Sequence, residues 1–216
     1  MCPKVVQKYI ERPLLVKKRK FDLRQWVFVN SFDPLEIMVY KQAYLRICAK
    51  DFDITQFQDL QRHISNFSVN REDELVMSTG DFIKYLNENG HASITWENHF
   101  LPQIQTICRN VFAQSGEVIE SKPQFFELYG FDFAVDKDLN LWLIEVNMSP
   151  ACQERQPWLS EMLDDMSSGL TAMIAAKVNS TPIAKAAQGT LWEPLDLKDK
   201  IYFNLDGRRT RVKIAN

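Results

Sequence analysis

One stretch, residues 127–150, constrains the fold more than any other part of the chain. Its two apolar runs, 130–135 and 141–146, flank a short polar break that contains Asp, Asn and Lys. This pattern predicts a β-hairpin, because turns favour short polar residues and each run has the length of a strand. We expect the turn to be centred on Asp138 and Leu139.

This register brings polar side chains together. Asp132 is expected directly opposite Glu145, and Asn147 shares the face of Glu145 because side chains alternate along a strand. Two carboxylates this close would raise one pKa and cost stability unless a cation lies between them. A small set of hard oxygen ligands suits Mg²⁺, which completes its shell with water and substrate phosphates. The spacing alone leaves two interpretations open: a metal site, or a hairpin whose acids reach solvent.

The composition excludes several classes of function. The 216 residues carry a net charge of -2 with an isoelectric point near 6.0, so we expect no nucleic acid partner. The cysteines and histidines lack the spacing of a zinc site, and we expect reduced thiols without a disulfide framework. No apolar run approaches the roughly 20 residues of a membrane-spanning helix, so we expect no membrane partner.

Strands are predicted in the first quarter of the chain. Lys20, Asp22 and Arg24 alternate with apolar residues, which indicates a strand with one polar and one buried face. Arg46 lies among apolar neighbours and needs a partner, for which a carboxylate such as Asp22 suffices. Strands are expected at 5–10, 20–29, 35–40 and 43–47, with a turn at Asp33-Pro34.

Helices are predicted after a long polar loop at 51–70. They are expected at 81–88, 102–114 and 158–178, on the basis of capping residues and apolar spacing. Residues 192–194 are expected in a loop, and 201–204 with 211–214 in a small hairpin. Because the first predicted strand begins so close to Met1, we also expect a chain that lacks its N-terminal portion.

Four motifs occur in a specific order: QKYIE at 7–11, KFDLR at 20–24, GFDF at 130–133 and LIEVN at 143–147. In order and spacing they resemble the tubulin–tyrosine ligase-like family, whose members are ATP-grasp amino-acid ligases. The resemblance extends from about residue 5 to residue 178. FDLRQW followed by DPL, within 21–35, is most similar to the tubulin glycylases of that family.

The resemblance implies an α+β, ATP-grasp-like fold with a largely antiparallel sheet packed with helices, incomplete at the N-terminus. It assigns 1–180 to the C-terminal ATP-grasp region of a tubulin ligase and 181–216 to a C-terminal extension with a possible small hairpin. The chain has 7 glycines and no GxGxxG-like run, so it is not expected to supply the family's phosphate-covering loop.

The resemblance also implies a role for each candidate site residue. The residues implied to bind ATP are Gln7, Lys8, Tyr9, Ile10, Lys20 and Asp22. Those implied to hold magnesium are Asp132, Glu145 and Asn147. Arg24 and Arg46 would be catalytic, steadying the transferred phosphoryl group or the acceptor carboxylate with a forked guanidinium. His63, Ser65 and Asn66 would border the substrate site or serve loop packing.

The implied reaction joins glycine to a glutamate side chain in an acidic C-terminal tail of tubulin. ATP would phosphorylate the carboxylate, and the amine of free glycine would then displace the phosphate. The implied partners are tubulin, microtubules and free glycine. The implied location is the cytoplasm and cytoskeleton, in the axoneme of a cilium or flagellum. Two alternatives stay open: a glutamate ligase of the same family, and an inactive truncated product that binds tubulin.

Overall fold

The computed structural model describes residues 5–71, 75–115, 119 and 125–197, together with 202–203 and 209–210. Its central element is a six-stranded sheet in which all the pairings are antiparallel. The strands are β1 (Phe21–Phe32), β2 (Leu35–Ile47), β3 (Val76–Ser78), β4 (Glu127–Val135), β5 (Leu141–Met148) and β6 (Trp192–Pro194). Their order is β3-β2-β1-β4-β5, and β6 also pairs with β2. The predicted α+β fold with an antiparallel sheet is confirmed.

Helices pack on both faces of the sheet. They are α1 (Phe67–Asn70), α2 (Thr79–Glu88), α3 (Leu101–Ser115), α4 (Pro157–Val178) and α5 (Ile183–Ala186). The three helices predicted from the sequence are confirmed as α2, α3 and α4, with small differences at their ends. Ser78 caps α2, because its hydroxyl accepts a 3.1 Å hydrogen bond from the Asp81 amide. None of the helices in the described residues is long and apolar enough to cross a membrane.

Three predictions in the strand regions are wrong. Residues 5–10 form no strand, because only the Gln7 side chain reaches β5, at the Ile144 carbonyl, and no backbone ladder forms in the described residues; Val5 is 87% and Val6 94% exposed. The predicted strands 35–40 and 43–47 are one continuous strand, β2, which stays paired with β1 across a register shift. Residues 192–194 are a strand rather than a loop, since they pair with the outer edge of β2.

At the end of the described chain, β7 (Tyr202–Phe203) pairs with β8 (Arg209–Thr210) in antiparallel fashion. The predicted strand 201–204 overlaps β7. Its predicted partner, 211–214, lies outside the described residues.

Alternation along β1 separates two hydrophobic cores. Leu23 and Val27 belong to the core that α2 and α3 cover, whereas Trp26 and Phe28 belong to the core that α4 and α5 cover. Asp22 and Arg24 precede Trp26 at two-residue spacing, so they lie on the same face as the second core. That face is thus apolar under α4 and polar beyond it, which is where the candidate site lies.

Candidate active site

The β4–β5 hairpin brings the three predicted metal ligands together. Asp132 is opposite Glu145 in the ladder. The Asn147 side-chain Nδ2 donates 3.1 Å hydrogen bonds to Asp132 Oδ2 and to Glu145 Oε1. The predicted juxtaposition of two carboxylates and an amide is therefore present in the structure.

The hairpin reaches this register in a different way from the prediction. Val135 pairs with Leu141, so the turn is centred on Asp138 alone. With this centre and a regular ladder, Asp132 would be opposite Ile144 rather than Glu145. An irregularity in β5 at Ile144 restores the pairing, because it adds one residue to that strand. The correct pairing of Asp132 thus follows from a turn and a bulge that offset one another.

Two arginines surround Asp132, which is only 2% exposed. Arg24 donates from Nε to Asp132 Oδ1 at 2.6 Å and from Nη2 to Oδ2 at 3.1 Å. Arg46 Nη2 lies 2.9 Å from Asp132 Oδ2. Arg46 also forms a bidentate pair with Asp22, at 2.7 and 2.8 Å, as the sequence predicted. The Ser65 hydroxyl also donates to Asp22. The row of paired side chains from Arg24 through Asp132, Arg46 and Asp22 therefore ends at the loop before α1.

The electrostatics of Asp132 follow from these contacts. Burial acts to raise the pKa of Asp132, but the hydrogen bond from Arg24 and the charge of Arg46 together hold it below the usual value. At Asp132, the positive charges that offset the repulsion from the Glu145 carboxylate are the guanidinium groups of Arg24 and Arg46.

The donor set fits a small hard cation. The Asn147 amide nitrogen lies between the two carboxylates, and exchanging it with the amide oxygen places three oxygen donors around one point. Among the described residues, no group of three or more His, Cys, Asp and Glu side chains could hold a metal, and Asn147 is the side chain that contacts both carboxylates here. Asp132 already accepts three hydrogen bonds and forms an ion pair with Arg46, however, and three of these four contacts are made to Oδ2.

The residues predicted to bind the nucleotide line one cleft of about 400 Å³. All six are present: Gln7, Lys8, Tyr9, Ile10, Lys20 and Asp22. Sequence reasoning missed the apolar walls of this cleft, which include Phe57, Leu60 and Ile144. The sequence held a signal for Phe57 and Leu60, since they are large apolar residues in a polar loop. The structure leaves their side chains 58% and 51% exposed.

Tyr9 joins this cleft to the loop before α1. The Tyr9 hydroxyl and His63 Nδ1 are 2.8 Å apart, and His63 Nε2 lies 3.1 Å from the Gln56 carbonyl oxygen. Because that carbonyl can only accept, Nε2 carries the hydrogen and Nδ1 accepts from Tyr9. Lys20 Nζ donates to the His63 carbonyl at 3.0 Å and lies 4.7 Å from the centre of the Tyr9 ring. Burial lowers the pKa of Lys20 and raises that of Tyr9 to about 12.

His63, Ser65 and Asn66 all line this first cleft, and His63 also packs the loop against Tyr9. Loop packing is thus present at His63, and a border with the substrate site stays a prediction. Asn66 also lines a second cleft of about 400 Å³. The second cleft holds Arg24, Arg46, Glu145 and Asn147, together with Arg155, whose guanidinium stacks 4.1 Å over the ring of Phe67. Sequence reasoning missed Arg155 and Phe67, which carry no motif.

Comparisons with known proteins fall on the same part of the chain. A family model described as the tubulin-tyrosine ligase family matches residues 2–181. Tubulin glycylase 3E of Tetrahymena thermophila is 40% identical over 181 residues, which is 77% of this chain and 13% of that protein. Protein monoglycylase TTLL8 of Mus musculus is 32% identical over 73% of this chain and 20% of that protein. Tubulin monoglycylase TTLL3 of Danio rerio is 35% identical over 68% of this chain and 20% of that protein.

The chain spans between 13% and 20% of the length of these relatives. The matched region begins before Gln7, the first residue that lines the first cleft, and ends just after α4. It therefore contains the whole of the site described above. On the extent of this match and the four motifs within it, the chain belongs to the tubulin-tyrosine ligase family.

Proposed function

We propose that this chain acts in ATP-dependent addition of glycine to glutamate side chains of tubulin tails. The observation that carries the proposal is the meeting of Asp132, Glu145 and Asn147 with Arg24 and Arg46 on one polar face of the sheet. The choice of glycine rests on the relatives, which are named as glycylases. In this proposal residues 1–180 are the ligase region and 181–216 an extension.

The first cleft would hold the nucleotide. Gln7 to Ile10 would present backbone groups to the base, and the side chains of Leu60 and Ile144 would pack against its faces. Lys20 would face the phosphates. Its ammonium is partly removed from water, which strengthens its attraction for an anion.

Asp132, Glu145 and Asn147 would hold Mg²⁺, which supplies charge neutralisation next to the nucleotide phosphates when bound. Glu145 is exposed to the second cleft and is therefore the most accessible of the three. Arg24 and Arg46 would bind anionic oxygens, since a guanidinium matches a phosphoryl group or a carboxylate with two parallel donors.

The chemistry would take place in two transfers. A carboxylate oxygen of the tubulin glutamate attacks the γ-phosphorus of ATP, the bond to the ADP oxygen breaks, and an acyl phosphate forms. The amine of glycine then attacks the acyl carbon, phosphate leaves, and the nitrogen loses a proton to give an isopeptide bond. The arginines would stabilise the charge that develops on phosphate in both transfers.

The partners in this proposal are tubulin and microtubules, with free glycine as the second substrate. The corresponding location is the cytoplasm and cytoskeleton, and more narrowly the axoneme of a cilium or flagellum. The names of the relatives as tubulin glycylases support the tubulin partner.

The metal and nucleotide assignments can be tested together by calorimetric titration of ATP with and without Mg²⁺. In the wild-type chain, we expect Mg²⁺ to tighten ATP binding. In Glu145→Gln, we expect the ATP affinity in the presence of Mg²⁺ to be about tenfold lower or more, which corresponds to about 1.4 kcal/mol. Glu161→Gln, at an exposed position on α4, is the control and should behave like the wild type. Equal Mg²⁺-dependent affinity in wild type and Glu145→Gln would contradict the assignment.

A further inference from the structure

Asp132 has more hydrogen-bond partners than a metal ligand can keep. Arg24 Nη2 donates to Asp132 Oδ2 at 3.1 Å, Arg46 Nη2 lies 2.9 Å from the same oxygen, and Asn147 Nδ2 links this oxygen to Glu145. A carboxylate oxygen has two lone pairs, so the two guanidinium groups fill Oδ2 even after Asn147 turns its amide oxygen toward a cation. A metal that coordinates Oδ2 therefore has to displace one of the two arginines.

The two arginines differ in what they would lose. Arg46 also forms a bidentate pair with Asp22, at 2.7 and 2.8 Å, and this pair does not involve Asp132. Arg24 donates hydrogen bonds to no other group than Asp132 among the residues that the structure describes. Arg46 therefore has a second anchor, whereas Arg24 would have to find a new anion.

We propose that Arg24 and a divalent cation compete for Asp132, so that metal binding releases the Arg24 guanidinium into the second cleft while Arg46 stays on Asp22. This exchange rests on the proposed function, because it takes Asp132, Glu145 and Asn147 as the metal site. Arg24 lines the same cleft as Glu145 and Asn147, so it moves within one cleft.

The exchange has a consequence for the order of binding. A buried guanidinium without an anion is costly, so metal alone would bind weakly. An anionic phosphate in the second cleft would give the released Arg24 a new partner. Metal and nucleotide would then each strengthen the binding of the other, by the same factor, because coupling between two sites is reciprocal.

The direct test measures the binding of Mn²⁺, without nucleotide, to the full chain and to its Arg24→Lys variant. The electron paramagnetic resonance signal of the free ion reports how much Mn²⁺ is unbound. Lysine keeps the positive charge but lacks the fork that occupies both oxygens of Asp132. We expect Arg24→Lys to bind Mn²⁺ about tenfold more tightly than the wild type without nucleotide, which is about 1.4 kcal/mol. We also expect ATP to improve Mn²⁺ binding less in the variant than in the wild type.

Arg62→Lys is the matched control. Arg62 forms an ion pair with Asp59 at 3.1 Å and does not line the second cleft, so this variant should bind Mn²⁺ like the wild type. Arg24→Gln serves as a second variant, and thermal unfolding with and without Mn²⁺ shows whether each variant is folded. A folded Arg24 variant should be stabilised by Mn²⁺ more than the wild type is.

The outcomes separate the exchange from the proposed function. Equal or weaker Mn²⁺ binding in both Arg24 variants, with the wild type binding Mn²⁺ in the presence of ATP, would overturn the exchange alone. An absence of Mn²⁺ binding in every variant and in the wild type, with or without ATP, would overturn the metal site and the exchange with it. Unfolding of both Arg24 variants even with Mn²⁺ would also overturn the exchange, because Arg24 would then be a structural partner that metal cannot replace.

Discussion

Gly130 shows how closely the backbone of β4 packs against the side chain of Arg24. A Cβ atom at this position would lie 2.6 Å from the Pro150 Cβ and 3.2 Å from both Cδ and Nη1 of Arg24. Gly130 is opposite Asn147 in the ladder, so the close approach occurs next to the proposed metal ligands. The missing side chain is what lets the Arg24 guanidinium reach Asp132.

Replacing Gly130 by alanine should therefore affect both stability and the site. We expect Gly130→Ala to lower the free energy of unfolding by about 1–3 kcal/mol, the usual cost of overpacking, and to weaken Mg²⁺-dependent ATP binding. Chemical denaturation and calorimetry measure the two effects. Gly80→Ala is the control, since its Cβ would meet nothing closer than 3.8 Å. If Gly130→Ala behaved like the wild type in both measurements, the site could accommodate a Cβ atom at this position without strain.

At the residue scale, the sequence predicted which polar residues meet on this face better than which side chains each of them contacts. Asp22 was expected as a partner of Arg46, because the two lie on strands predicted close together in the chain. The pairing of Arg24 with Asp132 was not expected, because the residues are 108 positions apart. Alternation in a strand predicts which face a side chain occupies, but the neighbouring strand in the sheet decides what it touches.

The turn of the β4–β5 hairpin depends on Asp136. Its carboxylate accepts 2.9 Å hydrogen bonds from the amides of Asp138 and Asn140 and from the indole of Trp142. Burial acts to raise the pKa of Asp136, and the hydrogen bonds from Trp142 and Asn140 outweigh it, so the pKa lies below its usual value. The folded hairpin therefore favours the ionised form of this residue.

We expect Asp136→Ala to lower the free energy of unfolding by about 1–2 kcal/mol at neutral pH, through the lost hydrogen bonds. Because the folded pKa is depressed, this stabilisation is present above the unfolded pKa of about 4 and disappears as the pH falls through the folded value. The difference between wild type and variant should thus shrink on acidification below about pH 4. Denaturation at a series of pH values measures it.

Asp138→Ala is the control for this experiment, because Asp138 is 60% exposed and pairs with Lys137 next to it. Its effect should stay within about 0.5 kcal/mol. A loss in Asp136→Ala that does not change with pH would show that the charge of Asp136 does not contribute.

At the scale of elements, the sequence predicted the hairpin and the three long helices but not the details of pairing. The bulge at Ile144 leaves no mark in the sequence, since the residue fits an apolar strand either way. The predicted strand at 5–10 has the right composition, yet within the described residues it lacks a partner strand. Composition shows that a segment is able to form a strand, but it becomes one only where a neighbouring strand provides backbone hydrogen bonds.

In the whole molecule, α4 covers the apolar end of one sheet face and leaves the polar end, where the candidate site lies, uncovered. Gly169 allows α4 to approach β6, because a Cβ there would lie 2.6 Å from Cδ1 of Trp192. The Trp192 indole donates a 3.0 Å hydrogen bond to the Met166 carbonyl. The helix, the last strand of the sheet and the second core thus meet at one contact.

We expect Gly169→Ala to lower the free energy of unfolding by about 1–3 kcal/mol through overpacking, even though alanine is the better helix former. Gly80→Ala, in α2, should be neutral or slightly stabilising for that same reason. Chemical denaturation of the two variants decides the matter, and a stabilising effect of Gly169→Ala would mean that α4 and Trp192 can move apart at little cost.

At the scale of the whole chain, the four motifs were sufficient for the fold class and the family. They could not show that β6 closes the sheet beside β3, because residues 192–194 lie beyond the motifs. They also could not show that Asp132 is held by two arginines, which follows from the assembled sheet.

The most direct test of the account is mass spectrometry of a glutamate-rich tubulin-tail peptide incubated with the chain, Mg²⁺, ATP and equal amounts of glycine and glutamate. The account predicts addition of glycine to the peptide, dependent on ATP and absent with Glu145→Gln. Addition of glutamate in place of glycine, or a peptide that stays unmodified, would contradict it.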